Sequence, residues 1–451
     1  MAKKKQIELT IEEKLQNALV PKEEQPYKIP NNWCWVRLDF LLKEICNGTT
    51  IKQNKEGKTA RVTRIESLQN NTIDFNRIGN IVNESLIKDK DWYIEGDIIV
   101  SHINSIEHVG KSAVITRDML PLVHGMNLLR LRLNNICNSQ FFQLYTRTTD
   151  YKKSIVNRVN RAVNQVSINQ KQLCSLEIPI TNLKEQQRIV NRIESLFVKL
   201  DRAKELIENT LAQFEQNKMA ILHKAFTGEL TAKWRKENNI DLSSWKKYEL
   251  KEVFKVVKDK YNPQIENQIV NYIGLENIET SKGIINKNNS SEVKSIKTKF
   301  KKDDVLYGKL RPYLNKHDVV NFDGICSTDI LVFRFDNINT AKYINYYFNL
   351  PMFIQYAVEN SSGINLPRVS EKTISKYKIS LPIIEEQQEI VNILDKLLAK
   401  YNKIKNLEQQ LEKIELLKKA ILAKAFRGEL GTNNPDEESA ENLLKEILAE
   451  K

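Results

Sequence analysis

With 451 residues, 41% of them hydrophobic and 28% charged, the chain is too long for a single core, so two or more domains are expected. No apolar run approaches the roughly 20 residues that span a bilayer, the basic start MAKKKQIELT has no apolar stretch behind it, and the five scattered cysteines (Cys34, Cys46, Cys137, Cys174, Cys326) form no CxxC pair. These features argue against a membrane protein, a signal peptide, a disulfide frame and a zinc site, and predict a cytoplasmic chain with reduced thiols. The net charge of +13 is unevenly placed. Residues 31–180 carry 20 Lys+Arg against 14 Asp+Glu, residues 241–380 carry 22 against 16, and the remainder is nearly neutral. Two basic segments suggest two sites for a polyanion, although a solvated Lys-rich surface gives the same count.

In chain order, residues 1–30 lead into the first basic segment, residues 31–182. Its apolar runs are short, β-branched and broken by Asn, Gly and Asp, which predicts strands with some helix. It ends near YKKSIVNRVNRAVNQVSINQK (151–171), which has five basic residues, no acidic one, and Asn and Gln between them. Lys and Arg neutralise phosphates, while Arg, Asn and Gln make bidentate contacts to guanine and adenine in the major groove. Arg158, Arg161, Asn164 and Gln165 are therefore candidate DNA contacts.

Residues 183–230 read as one long helix. It opens on EQQRIVN (185–191) and closes on AFTGEL (225–230), with Gly228 as a cap. Between them Ile189, Ile193, Leu196, Leu200, Ala203, Ile207, Thr210, Phe214, Asn217 and Ile221 step by four and three, as a and d positions of a coiled coil.

Residues 231–382 then repeat the first segment faintly: SSWKKYEL (243–250) answers NNWCWVRL (31–38), Glu276 answers Glu66, and Asp304 answers Asp97. KSIKTKFKK (294–302), YGKLRPYLNK (307–316) and GINLPRVS (363–370) take the basic part, which makes Lys309, Arg311, Lys316 and Arg368 candidate contacts. Residues 383–430 repeat the helix, from EQQEIVN (386–392) through Ile390, Leu394, Leu397, Tyr401, Ile404, Leu407, Leu411, Ile414 and Ile421 to AFRGEL (425–430), capped by Gly428. The copies align at an offset of 201 as far as Ala203/Ile404 and of 200 from Ile207/Leu407, a slip that would overwind a supercoil locally. Residues 431–451 follow the second helix.

One unit is thus written twice. A homodimeric coiled coil fits such a seam, but two matching helices in one chain pair at high effective concentration, and a two-fold relation sets them antiparallel. The expected fold class is α+β: two globular α/β domains joined by two long antiparallel coiled-coil helices, with an internal pseudo-two-fold repeat.

Signals for catalysis fail on spacing. GKT (57–59) and GKS (110–112) lack the glycine a phosphate loop needs five residues earlier, where Lys52 and Ser105 stand. Asn262-Pro263 is followed by Gln264-Ile265 rather than the Pro-aromatic pair of an amino-methyltransferase loop, and no Gly-rich cofactor turn follows a strand. The histidines (102, 108, 124, 223, 317) have no ligand spacing, and Asp303-Asp304 and PDEE (435–438) lack the partner carboxylate and lysine of a nuclease. No catalytic or metal-binding residue is expected.

Taken together, the tryptophan-headed segment starts (Pro30 to Leu38, Trp245 to Leu250), the EQQ entries, the AFxGEL exits and the terminal stretches EKLQNALVPKEEQPYKIPNNW (13–33) and PDEESAENLLKEIL (435–448) resemble the specificity subunit of a type I restriction-modification system over nearly the whole chain. The resemblance implies that residues 31–182 and 231–382 are target-recognition domains, each reading one half of an asymmetric bipartite site. Residues 183–230 and 383–430 would be spacer helices that set the gap, and residues 1–30 and 431–451 helical segments.

The resemblance further implies a non-catalytic chain with no cofactor of its own. Two modification subunits would dock on the spacer helices and methylate adenine N6 with S-adenosylmethionine, and restriction subunits would add translocation and cleavage with ATP and Mg. Double-stranded DNA and these subunits are the implied partners, and no membrane is. The contrasting expectation is a coiled-coil scaffold that binds only proteins, which the two basic segments oppose.

Overall fold

The computed structural model describes residues 10–54, 60–163, 165–266, 268–280, 282–402 and 405–450; Gly57-Lys58-Thr59, Asn164 and Ile404, singled out above, lie outside the described residues. The chain divides into two compact units, residues 1–205 with 410–451 (unit 1) and residues 206–409 (unit 2). The division falls inside both long helices, so each unit takes part of each.

The centre of unit 1 is an antiparallel sheet in the order Ser112–Val114, Ile98–Ser101, Leu128–Leu133, Leu42–Asn47. Ile98–Ser101 is buried along its length, and its run of β-branched apolar residues suits a strand covered on both faces. Ile98 and Val100 face one core and Ile99 faces another, following the two-residue period of a strand. Helices Ser139–Thr146 and Thr149–Arg158 bring Phe141, Tyr145, Tyr151 and Ile155 into the first core. Each has a side-chain cap: Asn138 Oδ1 accepts from the Gln140 N–H and Thr148 Oγ1 from the Tyr151 N–H. Strand Cys34–Arg37 pairs with Glu177–Ile180 and joins the start of the unit to the end of its globular part.

Unit 2 uses the same order. Its central sheet runs His317–Val319, Val305–Gly308, Ile330–Arg334, Lys255–Val256, helices Ile338–Tyr347 and Pro351–Glu359 follow, and Lys246–Glu249 pairs with Lys378–Leu381. Leu38 N–H donates to Leu176 O (2.9 Å) in unit 1, and Leu250 N–H to Tyr377 O (2.9 Å) in unit 2. The Asp97/Asp304 correspondence has a structural cause. Arg132 donates to both oxygens of buried Asp97 (2.8 and 2.9 Å), and Arg334 to both oxygens of Asp304 (2.8 and 2.7 Å).

The repeated phrases of the long helices meet each other inside each unit. The first helix is Leu183–Phe226, and the second is described over Ile384–Asn402 and Lys405–Ala425. In unit 1, Glu185 is fully buried and its Oε1 accepts from Thr432 Oγ1 (2.6 Å), just past the second AFxGEL. Gln186 Nε2 donates to Ile136 O and Thr181 O (both 2.7 Å). In unit 2, Glu386 Oε1 accepts from Thr231 Oγ1 (2.7 Å), just past the first AFxGEL, and Gln387 Nε2 donates to Pro382 O (2.8 Å).

The phenylalanines of the exit phrases pack in matching places, Phe426 at 5.0 Å from the Phe141 ring and Phe226 at 5.0 Å from the Tyr343 ring. Gly228 and Gly428 end the helices at φ +82° and +72°, where a Cβ would meet Leu242 and Pro30.

Within unit 1 the two helix segments run antiparallel, since Asp201 meets Lys418 while Lys204 meets Glu415. The first helix departs from the expected seam in its second half: Thr210 and Asn217 are exposed, while Leu211 and Lys218 are half-buried. A helix of 3.6 residues per turn drifts past a strict heptad, and the drift turns Leu211 and the aliphatic stem of Lys218 inward in place of the polar pair. Helices Ile11–Ala18 and Ala440–Glu450 add Leu15, Ala18, Leu444 and Leu448 to the core of unit 1.

Candidate nucleic-acid interface

Three segments of unit 1 meet beyond the buried strand. They are the loop at 64–69, the loop at 102–111, and the hairpin formed by Asn160–Ala162 and Gln165–Ser167. Val166 and Ser167 pair with Asn104 and Ile103, and Ile168 N–H donates to His102 O (2.9 Å). Glu66, Gln69, Asn104, His108 and Lys111 line a cleft of about 200 Å³ here, and Lys52, Gln53, Arg64, Glu66 and Asn127 line a second of about 300 Å³.

Unit 2 builds the counterpart from different side chains. Ser362 and Arg368 exchange backbone hydrogen bonds (2.9 and 2.8 Å), and Val369 N–H donates to Lys309 O (3.0 Å), matching the bond between Ile168 and His102. Arg311 N–H donates to Pro367 O (2.8 Å), and Lys316 Nζ to Leu275 O (2.7 Å), which ties in the loop of Glu276. Tyr272, Glu276, Lys287, Asn288, Lys294 and Lys297 line an open groove of about 830 Å³.

Arg311 stands at φ +49° directly before Pro312, a conformation unfavourable for a non-glycine residue and more so before proline. Its backbone bonds to Pro367 and Leu314 hold it there, with the side chain exposed. Strain of this kind concentrates at functional sites.

The residues predicted from sequence fall into two groups. Arg161 and Gln165 are exposed on the hairpin of unit 1, and Arg311 and Arg368 are exposed at its counterpart in unit 2. Arg368 Nε lies 3.6 Å from Asp329 Oδ1, a loose surface pair. Lys309 and Lys316 are partly exposed and brace loops by donating to Thr328 O and Leu275 O. Arg158 is committed elsewhere: its guanidinium binds Glu177, and it donates to Ser154 O (3.2 Å), which fixes the root of the hairpin.

Sequence reasoning did not single out Glu66 and Glu276 as site residues, although their alignment was visible. They line matching clefts, and a carboxylate there can accept a hydrogen bond from the cytosine amino group. Lys52 and Lys287 had no local pattern to mark them, and Lys111 stood in GKS (110–112), which was weighed only as a phosphate loop.

The cysteines and two of the histidines are buried or half-buried, and burial sets their titration. Burial pushes all five cysteine thiols up, Cys174 to about 11 and Cys34 and Cys326 to about 12, which opposes thiolate chemistry. Burial pushes His124 down to about 3 and His317 down to about 4; both are core histidines with fixed partners, Leu128 O for the first and Asn345 and Asn315 for the second. Asp304 and Glu437, from the two acidic stretches, are bound by Arg334 and Arg188. No described cluster of three or more His, Cys, Asp or Glu could hold a metal, and no described helix is long and apolar enough to cross a membrane.

Comparison with known proteins gives one consistent result. The sequence pattern of the type I restriction modification DNA specificity domain matches residues 31–215 and 243–416. A putative type I restriction enzyme MjaX specificity subunit from Methanocaldococcus jannaschii is 29% identical over 418 residues, covering 89% of this chain and 95% of its own length. The EcoDI specificity subunit of Escherichia coli is 28% identical over 314 residues, covering 62% of this chain and 70% of its own. The crystal structure of the HsdS subunit from Thermoanaerobacter tengcongensis superposes with a TM-score of 0.54 at 18% identity, over 90% of this chain and 100% of that one. A chain from a structure of type I R-M complex assembly and conformational transition reaches 0.67, also at 18% identity, with the same coverage. At that identity the structural likeness shows the fold.

Proposed function

This chain belongs to the type I restriction-modification DNA specificity family, and we propose that its two units read the two halves of an asymmetric bipartite DNA site through the surfaces described above. The chain is the recognition subunit and contributes no catalytic group. The observation that carries this reading is the pairing of surfaces: the same hairpin-and-loop framework in each unit, lined by different side chains. One framework with two linings suits two different half-sites.

Arg161, Gln165 and the undescribed Asn164 contact DNA in the first half, and Lys309, Arg311, Lys316 and Arg368 in the second. Arg158 positions the first hairpin. Residues 31–182 and 231–382 are the target-recognition domains, residues 183–230 and 383–430 the spacers between half-sites, and residues 1–30 and 431–451 the flanking helical segments. Two modification subunits dock on the spacer helices, where Val198, Leu416 and Leu417 are 68%, 63% and 50% exposed, more than a closed pair of helices requires. Those subunits supply S-adenosylmethionine and methylate adenine N6; restriction subunits supply ATP- and Mg-dependent cleavage. The complex works in the cytoplasm.

The test is to express the chain with its methyltransferase partner and map N6-methyladenine across the genome by single-molecule sequencing. One gapped asymmetric motif is expected, and exchange of residues 241–380 is expected to change one half of it. An intact complex that binds no DNA would leave the protein-binding scaffold as the better description.

A further inference from the structure

The two hairpins end on aliphatic side chains with nothing over them. Val163 is 92% exposed and Ile364 101%, the highest values among the large apolar side chains of the described residues. Both stand at the same place in their units. Val163 lies in the turn between the paired residues Ala162 and Gln165, and Ile364 in the turn closed by Ser362 and Arg368. The second turn is tight: Gly363 has φ +101°, and a Cβ on it would lie 2.9 Å from Leu366 O. Both turns are fixed below by backbone bonds to the neighbouring loop, Ile168 to His102 in one and Val369 to Lys309 in the other.

Most residues around the tips differ, Arg161, Ala162 and Gln165 in one and Ser362, Gly363 and Leu366 in the other, while an asparagine follows each tip, Asn164 and Asn365. A residue that reads one base has no reason to be alike in two halves that read different sequences. An aliphatic tip in both points to a task the halves share. Exposed cations flank each tip, Arg161 on the first hairpin and Arg368 with Arg311 on the second. An apolar probe flanked by exposed cations fits an occupant that is anionic outside and apolar inside, which describes the base stack of duplex DNA.

Resting on the DNA-reading function above, we propose that Val163 and Ile364 are wedges that enter the base stack of their respective half-sites and partly unstack one base-pair step. Aliphatic side chains inserted between base pairs unstack and kink the duplex. A DNA methyltransferase must bring its target base out of the stack, and a loosened step nearby lowers the cost of doing so.

The test uses the full chain in complex with its methyltransferase subunits, on duplexes carrying the mapped motif with 2-aminopurine placed in one half-site or the other. Binding of the wild-type complex to the motif is measured first; if there is none, the DNA-reading function fails, and the wedge with it. Given binding, wild type is expected to raise 2-aminopurine fluorescence in both halves. Val163→Ser is expected to abolish the rise in one half only, and Ile364→Ser in the other only, each weakening binding about tenfold. A mismatch that opens the step beforehand is expected to restore the binding of the matching variant. Serine at an exposed turn leaves the packing alone, which unchanged hydrogen exchange of both units would verify. Fluorescence that is the same in wild type and variants overturns the wedge. So does a wild type weakened to the variant's level by deoxyuridine in place of thymine with no fluorescence rise, since the tips would then be reading thymine methyls.

Discussion

In unit 2 the buried carboxylate Glu386 is enclosed by Arg235, Thr231 and the Trp245 indole N–H (3.0 Å), whereas in unit 1 the matching Glu185 meets Thr432 and Arg188, and the Trp33 indole has turned to Asn433 (3.2 Å). The cation differs in kind. Arg235 is nearly buried and comes from the exit segment, while Arg188 comes from the same helix as Glu185, is 38% exposed, and shares its charge with Glu437. Both solutions meet one requirement, a buried charge fully partnered where the long helix begins. They differ because the exit segments differ: TAKWRKE (231–237) brings Arg235 to Glu386, whereas TNNPDEE (432–438) brings Glu437, which pairs with Arg188.

A second difference lies towards the candidate interface. Unit 1 has a three-stranded sheet of Gln53–Asn54, Gly79–Ile81 and Arg61–Val62, and unit 2 a five-stranded sheet that includes the parallel pair Asn271–Ile273 and Gly324–Cys326. The framework repeats and the part that would face DNA does not, as expected of two readers with different targets.

The strongest way to break the comparison is at the helix entries. Glu386→Ala leaves Arg235 buried without a counter-charge and is expected to destabilise unit 2 by about 3–5 kcal/mol. Glu185→Ala leaves Arg188 with Glu437 and partial solvent, so a loss of about 1–2 kcal/mol is expected in unit 1. Hydrogen exchange resolved by unit in the full chain measures both, and equal losses would contradict the distinction.

Acid gives the next largest effect. The folded-state values of His124 and His317 lie below the ordinary value of 6.5, so between 6.5 and about 4 the unfolded chain binds these protons and the folded chain does not. Each unit is therefore expected to lose about 1.4 kcal/mol per pH unit as pH falls through that window. The contribution in unit 2 is gone near pH 4, while in unit 1 it continues to fall towards pH 3. His124→Gln should flatten the acid slope of unit 1 alone, read by unit-resolved exchange against pH.

Recognition sharpens the comparison further. Arg161→Ala and Arg368→Ala are each expected to weaken binding through one half-site only, by about 1–3 kcal/mol if the guanidinium meets a base edge. Duplexes altered in one half at a time measure this, and an equal loss at both halves would assign the residue to the fold. The smallest effect is expected for Thr432→Val, which removes one hydrogen bond to Glu185 at a cost of about 1 kcal/mol in unit 1. Chemical denaturation followed by unit-resolved exchange would show it.

Much of the architecture was legible because duplication writes itself into the sequence. The Asp97/Asp304 and Leu38/Leu250 correspondences mark a shared ion pair and a shared backbone bond. The candidate interface was legible in part. The basic stretches located the hairpins, but charge alone could not separate Arg161, which is exposed, from Arg158, which is held by Glu177 nineteen positions away in sequence.

By itself the sequence determined the order of segments, the two long helices, their glycine ends and the two basic regions, since these follow from local periodicity, backbone preference and composition. Only the tertiary structure decided what the repeated phrases are for. Glu185 and Thr432 stand 247 positions apart, and nothing local shows that the entry phrase of one helix is closed by the exit phrase of the other. The structure likewise exchanged Thr210 and Asn217 for Leu211 and Lys218 in the helix seam, and set Val163 and Ile364 bare at matching tips. Burial, and the partnering of buried charge, are properties of neighbours in space, and a sequence lists neighbours only along the chain.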